Sequence, residues 1–137
     1  MLDLPPVWTS LHRLGAAILV ILIGLQAVIA GQFLFGDWGI DSHAALGNAA
    51  FTVAFLIAAI AFAKLDGAVR RVIAVVILVL LTAQIGLGYT TRTSGGAAAL
   101  HIPLGVAVFG AVLYQLLAAW PALIRTTVSD TSLIERP

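Results

Sequence analysis

Four apolar runs, at roughly 14–35, 43–63, 72–89 and 98–120, occupy most of the chain, and brief polar breaks separate them. A helix rises 1.5 Å per residue, so about 20 apolar residues cross the ~30 Å hydrocarbon layer of a bilayer. Each run is on that scale. The breaks carry turn residues: Gly36-Asp37 through Ser42, Asp66-Gly67, and Thr90 through Ala97 with its Gly95-Gly96 pair. Short connections make consecutive helices antiparallel neighbours. The pattern predicts an all-α fold, an integral membrane four-helix up-down bundle over residues 11–120. Residues 1–10 are expected as a lead-in, where Pro5-Pro6 stops the first helix from running further back. Residues 121–137 are expected as a tail beyond the stop at Pro121.

The second and fourth runs share a motif. His43-Ala44-Ala45-Leu46-Gly47 through Phe51 recurs 58 residues later as His101-Ile102-Pro103-Leu104-Gly105 through Phe109. The same offset carries Gln26 onto Gln84 and Arg13 onto Arg71. Shared Leu, Ala, Gly and Phe mean little in a chain that is 61% hydrophobic, but the chain has only three His and four Gln. Pairing both of those types at one spacing is informative, and it implies two repeated helix hairpins, each contributing one imidazole. In such a bundle helices two and four are diagonal and parallel, with axes about 11–14 Å apart when neighbours lie about 8–10 Å apart. The two histidines then open their helices at equal depth. The gap between them suits an imidazole–metal–imidazole sandwich and is too wide for the rings to pack directly.

Composition narrows the class. Only 9% of residues are charged and the mean hydropathy is +1.10, against about a quarter charged in an ordinary soluble domain. A net charge of +1 with scattered basic residues leaves no nucleic-acid surface. The absence of cysteine removes disulfides, thiolate ligands and covalent heme attachment together. The first run has no small-residue cleavage site and matches the third in register, so it is expected as a span and not as a signal peptide. Arg13, Lys64, Arg70, Arg71, Arg125 and Arg136 fall on one side of the four spans and Arg92 alone on the other. The positive-inside rule makes the first side, with both termini, cytoplasmic. Trp8 and Trp120 then belong to the inner aromatic belt, Trp38 and Tyr89 to the outer one.

The chemistry gathers around the two histidines. Ionisable groups inside a membrane are costly and mark functional positions, and two neutral imidazoles supply both axial ligands of a six-coordinate heme iron. His43 and His101 are therefore the expected metal ligands, with heme b near the outer face. Zinc fits less well, because four ligands do not converge at this depth. Gly47 and Gly105 each lie one turn beyond a histidine on the same helix face, where a side chain would collide with a planar macrocycle. Gln26 and Gln84 lie at matching depth, and their amides have three candidate partners: each other, a backbone carbonyl, or a polar heme substituent. Arg92 is either a partner for heme propionates or a solvated loop residue. Asp41 is a candidate for orienting His43. Pro103 allows two readings: it occupies the first turn of a helix beginning near His101, or it distorts a longer helix and tilts that imidazole. His12, whose partner at the 58-residue offset is Arg70, is expected as an interfacial residue. No acidic or basic residue lies mid-span, which disfavours an ion channel or transporter.

The order of these features resembles heme A synthase, a family built from two fused four-helix halves, each with a histidine pair on its second and fourth helices. The resemblance rests on His43 with Gly47, on Gln84-Ile85-Gly86-Leu87-Gly88, and on Leu100-His101 through Gly105, and it covers about residues 12–120. It implies that His43 and His101 are heme ligands. The chain differs in having one half instead of two, no cysteine pair in its outer loop, and Ile40 where the family has a glutamate three residues before the histidine. Three functions follow as expectations. The first is a bis-histidine b-type cytochrome that transfers electrons or holds heme within a larger, respiratory-type membrane complex. The second is a half-size heme-modifying oxygenase acting as a homodimer. The third is a non-heme structural or assembly subunit.

Overall fold

A computed structural model describes residues 6–36, 39–91, 93 and 95–120. Expectations that concern residues 1–5, Trp38, Arg92 and the 121–137 tail lie outside the described residues. Four α-helices run in order: α1 (Val7–Phe35), α2 (Ile40–Lys64), α3 (Ala68–Thr90) and α4 (Gly95–Ala119). All four are long and apolar enough to cross a membrane. Each packs against its two neighbours in the order α1, α2, α3, α4 and back to α1, while the backbones of the diagonal pairs stay apart. Contact is more extensive within the hairpins α1–α2 and α3–α4 than between them. The outward surfaces are apolar too: Val28, Val79 and Val106 are all more than half exposed. Helices that are hydrophobic all round need an apolar surrounding.

The interior follows one stripe per helix at three- and four-residue spacing. On α1 the buried side chains are His12, Ala16, Leu19 and Ile23; on α3 they are Ala74, Ile77 and Leu81. Burial obeys the 58-residue offset seen in the sequence. Ala16 and Ala74, Leu19 and Ile77, Ile23 and Leu81, Ala50 and Val108, Ala54 and Val112, Ile57 and Gln115, and Ala61 and Ala119 are all buried. Only the Ile57–Gln115 pair exchanges an apolar residue for a polar one. Two tiers at mid-bundle, Leu19, Ala54, Ile77 and Val112 and then Ile23, Ala50, Leu81 and Val108, form one continuous apolar cluster. Bulky residues on α1 and α3 face small or β-branched ones on α2 and α4, which fills the space between unequal neighbours.

The end of the bundle that carries Trp8 and Trp120 is fastened by cations. Arg13 Nε donates to the carbonyl of Ala119 at 2.8 Å, and its guanidinium lies 5.7 Å from the centre of the Trp120 ring. Arg71 donates to the carbonyl of Leu65, the residue that ends α2, at 3.2 Å, and Arg70 donates to Asp66. The last carbonyls of a helix lack partners within it and carry partial negative charge, so a guanidinium there satisfies both needs. Lys64 lies over Trp8 at 5.2 Å. Between α2 and α3 the turn reverses at Gly67, whose φ of +112° is a conformation that residues with a Cβ seldom adopt.

Three expectations change. The helices start earlier than the apolar runs. Val7 follows Pro6, whose carbonyl accepts from Thr9 and Ser10. Asp41 suits the positively polarised first turn of α2, and the alanines at 97–99 are strong helix formers. Pro103 therefore lies inside α4, not in its first turn, and the carbonyl of Ala99 loses its helical partner. His12 is only 4% exposed, because it lies four residues before Ala16 on the buried stripe. Its Nε2 is buried and has no hydrogen-bond partner.

Gly15 marks a close approach of α1 to α2, since a Cβ added there would lie 2.8 Å from Ile57 Cγ1. Gly15→Ala is expected to lower stability in detergent by about 1–3 kcal/mol through overpacking. Pairing it with Ile57→Val should recover part of the loss, read from denaturation curves of the single and double variants.

Candidate functional site

Beyond the apolar tiers, at the end that carries the α1–α2 and α3–α4 connections, the interior opens. His43 stands one turn into α2 and His101 two turns into α4. Their helices are diagonal, yet the imidazoles meet at the bundle centre edge to face, with ring centres 6.2 Å apart and planes inclined by 68°. The expectation that the gap is too wide for ring contact is thus corrected: each side chain reaches far enough inward to span it.

Around the rings lies a cavity of about 660 Å³, within the roughly 300–1,000 Å³ typical of cofactor and ligand sites. One wall comes from α1 and α2 and the other from α3 and α4. The cavity is therefore a slot between the two hairpins, with one imidazole on each wall. Asn48, Tyr89, Ala27 and Val106 are also among its lining residues. The remaining lining is mostly aliphatic.

Gln26 and Gln84 form the floor, with different partners. Gln26 Nε2 donates to the main-chain carbonyl of His43 at 3.1 Å, whereas Gln84 Nε2 lies 3.3 Å from His101 Nε2. Each amide lies over the glycine that the sequence singled out. A Cβ at Gly47 would come within 2.7 Å of Gln26 Nε2, and one at Gly105 within 3.1 Å of Gln84 Nε2. The space above both glycines, expected for a macrocycle, is filled here by the two amides. Gly88, one turn after Gln84, was not singled out as a site residue. A Cβ there would lie 3.1 Å from His101 Cε1, and its spacing of four from Gln84 is the signal that would have found it.

Of the expected site residues, His43, His101, Gln26, Gln84, Gly47 and Gly105 converge on the slot. Arg92 lies outside the described residues. Asp41 is exposed and makes no hydrogen bond to His43 among the described residues. Three buried polar atoms at the slot lack partners: His43 Nδ1, Gln26 Oε1 and Gln84 Oε1. Such orphans are rare in well-packed interiors and point to a missing partner.

The ring separation has a chemical meaning. Two imidazoles that bind one metal from opposite sides, with about 2.1 Å from metal to nitrogen and about 1.1 Å from nitrogen to ring centre, have centres about 6.4 Å apart. The observed 6.2 Å is close to that separation. The rings meet edge to face, however, and both His101 nitrogens engage Gln84, so holding a metal between them requires the rings to turn. No group of three or more His, Cys, Asp or Glu side chains is present among the described residues, so a tetrahedral ion would find only two protein ligands. A metal already held in the plane of a macrocycle needs only two. In comparisons with family models, curated proteins and solved structures, nothing matches this chain.

The glutamine–glycine contacts yield a test. Gly47→Ala is expected to expel the Gln26 amide and destabilise the protein by about 1–2 kcal/mol. Gly47→Ala with Gln26→Ala should cost less than the sum of the single changes, and a double-mutant cycle would measure that coupling at about 1 kcal/mol.

Proposed function

We propose that this chain is an integral membrane, bis-histidine b-type heme protein, with His43 and His101 as the axial ligands. The observation that carries the reading is the pair of imidazoles on opposite walls of an apolar slot, with ring centres close to the separation of two rings that flank one metal. A flat, mostly apolar macrocycle matches a slot between two hairpins. The equivalent placement of Gln26 and Gln84, and the matched burial 58 residues apart, support descent of the two hairpins from one repeated unit. Loading the slot requires both amides to turn away from their glycines, which would give the orphaned Oε1 atoms new surroundings. Arg92 is the only Lys or Arg between positions 72 and 124, and is assigned to a heme propionate. When bound, heme supplies a one-electron redox centre; the protein's part is to hold the two imidazoles neutral and opposed and to keep water out.

Orientation follows from the clustering of Arg13, Lys64, Arg70 and Arg71 at the opposite end. That end is assigned to the cytoplasm, with both termini, and the heme to the outer half of the bilayer. The two apolar tiers beneath the glutamines contain no polar side chain, so electron exchange would take place on the outer side. A redox partner is required there, as in a larger membrane complex.

The test is spectroscopic. Protein purified from heme-replete cells is expected to give a reduced-minus-oxidised spectrum of a low-spin b-type center. His43→Ala and His101→Ala should each abolish the low-spin signature. Wild-type protein that folds as a helical bundle and carries no heme would refute the proposal.

A further inference from the structure

The two histidines occupy matching positions but are held differently. His101 Nδ1 lies 3.0 Å from the main-chain carbonyl oxygen of Gln84. A carbonyl oxygen can only accept, so Nδ1 carries the proton and Nε2 the lone pair. The side-chain amide of the same Gln84 donates to that lone pair at 3.3 Å. One residue therefore engages both ring nitrogens, while Gly88 leaves the space the ring needs in this position. His43 has no such latch. Gln26 gives its amide to the backbone of His43, and His43 Nδ1 is buried without a partner.

A lone pair cannot bind a metal and accept a hydrogen bond at the same time. A metal in the slot takes a His43 nitrogen without breaking a hydrogen bond to that ring, but it must displace the Gln84 amide from the His101 ring nitrogen. The reverse also holds: His101 leaving a metal has a prepared partner, and His43 has none. We infer that, given the heme reading above, His43 is the permanent axial ligand and His101 an exchangeable one. Gln84 receives the released imidazole, so that a small neutral diatomic ligand can enter on the α3–α4 wall. The exchange breaks one bond from the metal to the His101 nitrogen and forms one bond to the incoming ligand. The proton stays on Nδ1 and no electron moves.

Carbon monoxide, added to the heme-loaded full-length protein under dithionite, is the probe. The expected result is a carbon monoxide complex of the wild type. Gln84→Leu removes the resting place of His101 and should lower carbon monoxide affinity about tenfold, the scale of one hydrogen bond. Gln84→Asn, whose amide is too short to reach, should do the same and guards against a packing artefact of leucine. His101→Ala should bind carbon monoxide more tightly than wild type, whereas His43→Ala should lose most of its heme. Heme content and helical circular dichroism are measured on every variant, so loss of fold is separated from loss of exchange. A wild type that binds heme but no carbon monoxide, or Gln84 variants with unchanged affinity, would overturn the exchange and leave the bis-histidine reading standing. A wild type without heme would remove both.

Discussion

The two apolar tiers at mid-bundle are the contact on which the rest of the architecture depends. Leu19 and Ile23 from one hairpin close against Val108 and Val112 from the other, and Ile77 and Leu81 close against Ala50 and Ala54. Packed interiors resist small displacements because every gap forfeits dispersion contacts. These tiers therefore fix the distance and register between hairpins that otherwise touch less than their own two helices do. On one side of them the helix ends are drawn together by guanidinium groups; on the other the hairpins part around the imidazoles. If the hairpins slipped past each other by one turn at the tiers, His43 would no longer lie at the level of His101, and the slot would lose its facing imidazoles.

That arrangement assigns polar groups unevenly. At the Trp8 and Trp120 end, polarity serves closure: Arg13 and Arg71 satisfy the final carbonyls of helices. At the other end several buried polar atoms remain unsatisfied. Exposed hydroxyls follow a third solution: Thr52 and Thr82 donate back to Asn48 and Leu78 one turn earlier, so they present little polarity to an apolar surrounding. Buried atoms without partners occur at both ends: His12 Nε2, Arg71 Nε and Gln115 Oε1 toward Trp8 and Trp120, and His43 Nδ1, Gln26 Oε1 and Gln84 Oε1 at the slot. Those at the slot border a cavity that has room for an occupant.

Much of this was legible in the sequence, because periodicity and the 58-residue offset survive translation into three dimensions. Four apolar runs gave the helices, and the shared offset of His43 with His101 and Gln26 with Gln84 gave the site. Four features were hidden. The start of α4 was not evident, because Gly95-Gly96 reads as a turn until the following alanines are allowed to wind, and this placed Pro103 deeper in the helix than expected. The amides that lie over Gly47 and Gly105 were not evident, because one-turn spacing reveals that a space exists and not which side chain from a neighbouring helix enters it. His12 was assigned by its depth and its offset partner Arg70, although its position on the Ala16–Leu19 stripe determines that it turns inward. The different partners of Gln26 and Gln84 had no signal at all, since identical residues at identical spacing diverge only when rotamers are chosen.

The chain crosses from one hairpin to the other only once, at residues 65–67, on the side where both arginine bonds also lie. At the opposite end each connection stays within its own hairpin. The molecule is therefore built like tweezers, joined at the base and free at the tips. His12 and Ala30 are 18 residues apart, and over the corresponding ~27 Å lever a tilt of about 5° widens the tips by about 2 Å. Such a pivot would also part the apolar tiers, which lie on the same lever at Leu19 and Ile23, so the packing there sets how far the tips separate.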